Sequence, residues 1–522
     1  MSVLARLALR QRPRRLAACA ALAIGAGTAV LAAAPATAAT PASSTSAPAS
    51  TTAVAPAPRP LIRQPAPAVG TPRDFALPAK SEIRLANGIP VTHVPFGTVP
   101  KATILVVVRT GNIDDGARTG LADIAVEMLK EGAGARSAAE VAQFAADMGG
   151  ALAIGAGADQ TSAALDVLAE RAPDAVTLLA DVLRRPRLPE SELPRLQANA
   201  LRQLAVARAQ PQAIARDALA RRLWGDHPYG RGLPTDADVQ GHTIEDVRRF
   251  VADNFGAART RIYVAGRYDR AAVDRALEAA FGDWAAGRPP TENVPTGTRT
   301  RQVVLIDRPD AAQSTLLLGV PSIWPGVPDY LQFTVANTLL GGSLISRLNQ
   351  NLREEKGYTY GANSSLSLRF RSGSWVLATD VNTPDTAAAL REIYFELDRL
   401  RREPPAAEEL RRIQNLRAGN FVIGTSSAAG LAGQMQFLDF HDLPDDWLTN
   451  WVRNVYAVTP EQVSEVTRRH LDPAQMTLIV VGDAQKIGAE LRSLPALQGA
   501  QFLTPARCAP PRRSRRDPAR PS

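Results

Sequence analysis

Hydrophobic and polar positions change period along this chain in a way that lays out most of its elements. Glu82–Leu85 and Pro90–His93 flank Asn87-Gly88, a dipeptide that readily takes the left-handed angles of a tight hairpin turn. Thr103–Thr110 is an apolar run rich in β-branched residues, the composition of a buried strand. Apolar positions then recur at helical spacing over 119–131, 137–149, 171–184 and 189–209. This stretch closes with a helix over 243–254 and a strand over 260–266. Ala286-Gly287-Arg288-Pro289-Pro290-Thr291 has the composition of a linker. Beyond it, strands are expected at Gln302–Ile306 and Ser314–Val320, and helices over Pro328–Leu340 and Ser343–Lys356. Strands near 358–369 and 373–382 and further helices follow.

The second series repeats the first. Thr243-Ile244-Glu245-Asp246-Val247 leads to Arg261-Ile262-Tyr263-Val264-Ala265-Gly266, and Thr459-Pro460-Glu461-Gln462-Val463 leads to Leu478-Ile479-Val480-Val481-Gly482. Thr243 to Gly266 and Thr459 to Gly482 both span 23 positions, at an offset of 216. A second pair, Ala172-Pro173-Asp174 and Thr383-Pro384-Asp385, opens helical stretches at an offset of 211. A fixed period of this size marks a duplicated unit. The expected class is α+β: two homologous halves, each an antiparallel sheet with helices packed on it, over 76–290 and 298–495.

Composition changes the picture mainly at the ends. Arg6, Arg10, Arg12, Arg14 and Arg15 precede an apolar run from Leu16 to Ala34 and a small-residue stretch Ala36-Thr37-Ala38, so residues 1–38 read as a secretory signal. A retained transmembrane anchor is the alternative. Residues 39–75 are Ala, Pro, Ser and Thr with little charge, a composition that builds no core of its own and reads as a disordered linker. Residues 500–522 read as a disordered basic tail. The net charge of +9 divides accordingly: +5 lies in residues 1–58 and +5 in 500–522, which leaves −1 for the body. The pI near 9.9 therefore implies no nucleic-acid surface. Cys19 and Cys508 both fall in the end segments, so no disulfide is expected in the fold. Export to the periplasm or beyond is expected, with no integral membrane span once the signal is removed.

Two segments carry candidate chemistry. Arg109-Thr110-Gly111-Asn112 followed by Gly120-Leu121-Ala122-Asp123-Ile124-Ala125-Val126-Glu127-Met128-Leu129 resembles the zinc helix and its lead-in in the pitrilysin/insulinase-like metallopeptidases. That family carries H-x-x-E-H, with two zinc-binding His one turn apart and a Glu as general base. Here Asp123 and Glu127 stand at the two His positions and Val126 at the Glu position. The family's third ligand, a Glu on a later helix, aligns with Leu201-Arg202-Gln203-Leu204, which has no carboxylate. Asp123 and Glu127 are open to two readings, a hard-cation pair or solvated helix residues. His93, His227, His242, His441 and His470 show no metal-ligand spacing, and His227-Pro228-Tyr229-Gly230 reads as a structural loop.

The second segment, Leu339-Leu340-Gly341-Gly342-Ser343-Leu344-Ile345-Ser346-Arg347-Leu348 running into Leu352-Arg353-Glu354-Glu355-Lys356-Gly357-Tyr358-Thr359-Tyr360, is similar to the family's L-L-G-G…S-R-L…L-R-E-x-x-G-x-x-Y string. The resemblance implies that Arg353 and Tyr360 reach substrate across a closed chamber, and that Gly341 and Gly342 form a substrate-contacting loop. The plainer reading is an Arg paired on its own helix, a Tyr packed at a strand start, and two glycines that allow a turn. The resemblance covers about residues 80–490 and implies a fold like that of mitochondrial processing peptidase subunits. It further implies a catalytically incompetent, substrate-binding subunit with no metal of its own. Zinc would sit in an H-x-x-E-H-bearing partner of a heterodimeric endopeptidase that cleaves peptides. Two alternatives stay open: a structural scaffold resembling respiratory complex III core proteins, and a stand-alone peptide-binding homodimer.

Overall fold

The computed structural model describes residues 76–503. The expected signal, the linker 39–75 and residues 504–522 of the tail lie outside the described residues. Two six-stranded sheets organise the chain. The first contains β1 (Ser81–Arg84), β2 (Pro90–Pro95), β3 (Lys101–Val108), β4 (Ala153–Ala156), β5 (Thr161–Leu168) and β6 (Thr260–Gly266), in the order β1-β2-β6-β3-β5-β4. The second contains β7 (Gln302–Asp307), β8 (Gln313–Ser322), β9 (Ala362–Arg369), β10 (Ser372–Asn382), β11 (Thr477–Gly482) and β12 (Gln501–Leu503), in the order β12-β7-β11-β8-β10-β9.

The two orders superimpose strand for strand, the architectural form of the sequence repeat. Both sheets are mixed rather than purely antiparallel. β2 runs parallel to β6, and β7 parallel to β11, because the chain crosses the whole half between the members of each pair. Only the outermost strand differs. β1 enters by the Asn87-Gly88 hairpin, whereas β12 is the returning C-terminal end and pairs in parallel with β7. This corrects the expected boundary of the tail at residue 500: Gln501–Leu503 complete the second sheet, and Phe502 packs on its core.

Each sheet has its own helical layer. Helices Leu121–Leu129, Ala172–Arg184 and Arg270–Phe281 bury Val126, Leu178, Leu179 and Phe281 in one core with the inward residues of the sheet, such as Ile104 and Val106 of β3 and Leu165 of β5. Helices Tyr330–Leu340, Thr386–Arg402 and Pro460–His470 do the same for the second sheet around Phe333 and Trp375. The opposite faces are covered reciprocally. Helix Pro211–Trp224, from the first half, lays Leu219, Leu223 and Trp224 on Val304, Leu317 and Ile479 of the second sheet. Helix Ala428–Phe440, from the second half, lays Leu431, Met435 and Leu438 on Val94, Val107 and Tyr263 of the first. Strands apolar on both faces thus find both faces covered.

Among the described residues no helix is long and apolar enough to cross a membrane.

Candidate functional site

The Leu121–Leu129 helix is anchored by Asp115, whose two carboxylate oxygens accept from the amides of Gly120 and Ala122, each at 2.7 Å. These are donors that the helix itself leaves unpaired. Burial pushes the Asp115 carboxyl up to about 6; the two amides oppose this and the charge of Asp123 adds to it. Asp123 stands on the solvent-exposed face of the helix. The surrounding protein raises its carboxyl above the usual range, against a 3.0 Å hydrogen bond donated by Asn112 and with the charge of Glu127 one turn away. Glu127 accepts from Lys130 Nζ at 2.6 Å on the exposed face. Val126 is turned into the core.

A catalytic zinc takes three protein ligands and an open position. This face offers two carboxylates, one bonded to Asn112 and the other paired with Lys130, and no imidazole. The helix Leu193–Ala209, which packs on this one, carries no carboxylate in Leu201-Arg202-Gln203-Leu204, and Arg202 is bonded to Asn199. These residues do not fit zinc. Among the described residues no group of three or more His, Cys, Asp and Glu is placed to hold a metal ion. The histidines are dispersed: His93 against Tyr268 and Asp274, His227 on the Asn293 carbonyl, His242 near the Thr119 carbonyl, His470 on Asp329. Tyr229 of the 227–230 loop is buried against Trp224 and bonded to Asp159, a structural use.

The second segment is built differently from the single helix expected over Ser343–Lys356. The chain leaves Leu340, crosses an exposed loop, makes one α-turn at Arg347–Asn349 and then widens into a π-helical turn over Gln350–Glu355. Asn349 explains the break. Its amide donates to the carbonyls of Ser343 and Ala362, both at 2.8 Å, and its oxygen accepts from the Ala362 amide at 3.0 Å. One buried side chain thereby ties loop, turn and β9 together. Arg347 adds a two-pronged pair with Glu409 at 2.7 and 2.8 Å. Asn337 pins the preceding helix, accepting from Trp375 Nε1 and Ser364 Oγ at 2.7 Å each.

On this support Arg353 and Tyr360 come together. The guanidinium carbon lies 5.2 Å from the Tyr360 ring centroid, a cation–π arrangement. Arg353 also meets Glu354, its chain neighbour, at 3.3 Å. Tyr360 is 90% exposed, so it does not pack at a strand start. π-helical turns recur at functional sites, where they re-aim a side chain. Gly341 and Gly342 are close-approach glycines: a Cβ would come within 2.7 Å of Ser364 Oγ at the first and 2.9 Å of Thr338 Cα at the second. Leu344 and Ile345 at the tip of the loop they open are exposed. No hydrogen bond, ion pair or ring contact joins Arg353 and Tyr360 to Asp123 or Glu127.

The family profile described as Insulinase (Peptidase family M16) matches residues 97–236, and that described as Peptidase M16 inactive domain matches 242–417. The chain belongs to the M16 peptidase family. An uncharacterized zinc protease of Mycobacterium tuberculosis is 26% identical over 420 residues, 79% of this chain and 94% of that protein. One of Bacillus subtilis is 24% identical over 343 residues, 65% of this chain and 83% of that protein. Among solved structures, a peptidase M16 inactive domain from Pseudomonas fluorescens superimposes with a TM-score of 0.72 at 24% identity, over 77% of this chain and 98% of that one. A chain of complex III from Candida albicans superimposes with a TM-score of 0.67 at 13% identity, over 81% of this chain and all of that one. Such likenesses establish the two-half M16 fold. The profile boundary near residue 240 is not the boundary of the halves in this M16 chain, since β6 belongs to the first sheet.

Site residues that sequence reasoning missed are Asn337, Asn349 and Glu409. An asparagine in the middle of the helical pattern Leu331–Leu340, among Phe333, Val335, Ala336 and Leu339, is the signal that marks the first.

Proposed function

We propose that this M16 chain is the catalytically incompetent, substrate-holding subunit of an exported heterodimeric zinc endopeptidase. Zinc and the general base would come from a family partner that carries H-x-x-E-H. The observation that carries the reading is an asymmetry. The helix where the family holds zinc presents Asp123, a buried Val126 and a Lys-paired Glu127, whereas a half-buried Arg353 on the tethered π-turn lies against an exposed Tyr360 beyond it. An arginine fork can hold a peptide carbonyl or a terminal carboxylate. A tyrosine hydroxyl can donate to the oxyanion that develops as the scissile carbonyl is attacked. The secretory signal read in residues 1–38 supports export. The scaffold reading is favoured by the fold likeness to a complex III chain, but it gives Arg353 and Tyr360 no task.

The test is reconstitution with a family member that carries an intact H-x-x-E-H. Peptidase activity should arise in the mixture that neither chain has alone, with assembly followed by sedimentation. Assembly without gain of activity would leave the scaffold reading in its place.

A further inference from the structure

A cavity of about 320 Å³ opens at the seam between the halves, where helix Ala428–Phe440 runs out over the first sheet. That helix covers the apolar part of the sheet face, at Val94, Val107 and Tyr263. Strand register puts arginines on the rest of the same face. Arg84 of β1 faces Pro90 of β2, Pro90 stands beside Arg261 of β6, and Arg261 faces Val107 of β3. Directly opposed residues share a face, and Arg109, two positions beyond Val107, continues it opposite Arg259. All four arginines line the cavity. Like charges crowded on one face are destabilising unless each is compensated. Arg261 meets Asp439 at 3.1 Å, Arg259 meets Asp114 at 3.1 Å, and Arg84 reaches Glu82 at 3.7 Å. Arg109 is the exception. Its guanidinium carbon lies 3.8 Å from the Phe370 ring centroid, and among the described residues the group makes no hydrogen bond or ion pair. Burial lowers its pKa, the charges of Glu292, Asp442 and Asp159 opposing this, so the cation is partly stripped of water without a contacting anion in exchange.

Gln160 adds a second free donor to the lining. Its oxygen accepts from Gln436 at 2.7 Å, which leaves its own amide N–H groups unpaired. A planar guanidinium fork with an amide on the same lining suits a carboxylate. The covering segment supplies the opposite charge. Asp439 takes both the Tyr263 hydroxyl, at 2.7 Å, and Arg261 on Oδ2, so its Oδ1 is open. Asp442 likewise uses Oδ2 for Arg371, at 2.9 Å, and keeps Oδ1 open. A ligand that was only anionic would meet these oxygens unfavourably, whereas a ligand with a carboxylate at one end and an ammonium at the other is matched on both walls. The volume lies at the small end of ligand cavities, the size of a single amino acid or two joined. We propose that this cavity binds a free amino acid or dipeptide as a zwitterion, with its carboxylate on Arg109 and the Gln160 amide and its ammonium on Asp439 Oδ1. The site lies wholly within one chain and needs no catalytic partner, so it stands independently of the substrate-holding reading.

Isothermal titration of the full chain with alanyl-alanine, its N-acetyl form and its C-terminal amide tests this. The free dipeptide should bind about tenfold or more tighter than either blocked form, since each block removes one charge-assisted contact. Arg109→Gln should weaken the free dipeptide by about tenfold and leave the amide unchanged, because the amide brings no carboxylate to lose. Asp439→Asn should do the converse, weakening the free dipeptide and leaving the N-acetyl form unchanged. Asp439 also holds Tyr263 and Arg261, so its variant could fail to fold; Arg109, which is only stacked, then decides the matter alone. Equal binding of all three ligands, or no binding of the free dipeptide by the wild-type chain up to about 10 mM, would overturn the proposal. So would an Arg109→Gln variant that binds the free dipeptide as the wild type does, because the ligand would then sit elsewhere. Inorganic phosphate or the N-acetyl form binding more tightly than the free dipeptide would make this a simple oxyanion site and reject the zwitterion.

Discussion

At the residue scale, Arg353 and Tyr360 make the sharpest prediction. In the reconstituted pair, Arg353→Ala or Tyr360→Phe should lower kcat/KM without preventing assembly, by about 10²–10³ if each supplies one oxyanion-type contact. Arg353→Lys should fail nearly as badly as Ala, because a point charge cannot reproduce a planar fork. Wild-type turnover in all three variants would remove the holding role. The face of Asp123 and Glu127 predicts that the isolated chain binds no stoichiometric zinc and cleaves no peptide. One equivalent of zinc by elemental analysis, with chelator-sensitive proteolysis, would contradict it. His441 sets a pH limit. It is buried among Phe437, Phe440 and Trp324, and burial lowers its pKa to about 4, the charge of Asp442 opposing this only in part. A base whose pKa falls on folding leaves stability intact above the unfolded value and takes it away as the pH drops from 6.5 toward 4. His441→Phe should therefore lose about 2 kcal/mol less than wild type between pH 7 and pH 5, measured by urea unfolding. Asp115, raised to about 6, works in the opposite direction, but it is common to both proteins and cancels in the comparison.

Elements show where local pattern and tertiary contact part company. Capping boxes at Ser137, Thr243 and Thr459 set helix starts that the sequence pattern already marked. The stretch 343–356 was legible as helical by its spacing, yet Asn349 spends its side chain on Ser343 and Ala362, and the helix gives way to a loop, one turn and a π-turn. That side chain positions Arg353 rather than touching substrate. Asn349→Leu should cost about 2–4 kcal/mol, since the Ala362 amide and two carbonyls lose their partner in a buried site. It should also lower kcat of the reconstituted pair more than it raises KM. Equal stability and unchanged kcat would show that the π-turn holds itself.

At the scale of the whole molecule, the reciprocal helices make two sheets one body. Leu219, on the helix from the first half, packs so closely on the second sheet that a Cβ at Gly319 would come within 2.7 Å of it. Leu219→Ala should cost about 2–5 kcal/mol and lower a single calorimetric transition, because the loss is shared by both halves. Two transitions of which only one moves would show that the halves unfold separately.

The chain alone determined a good deal of this. The duplicated plan, the α+β class and the presence of Asp, Val and Glu rather than histidine at 123, 126 and 127 are properties of residue type and spacing, which no tertiary contact can alter. So is the presence of an arginine and a tyrosine seven positions apart. What only the tertiary structure decided was placement. The parallel pairs β2–β6 and β7–β11, the recruitment of Gln501–Leu503 as an edge strand and the exchange of helices between halves join residues far apart in sequence. Hydrophobic spacing says that a face must be buried, not against what. The stacking of Arg353 on Tyr360 likewise depends on Asn349 and the Ala362 backbone, and nothing in a residue's own neighbours along the chain reveals which distant carbonyl its amide will find.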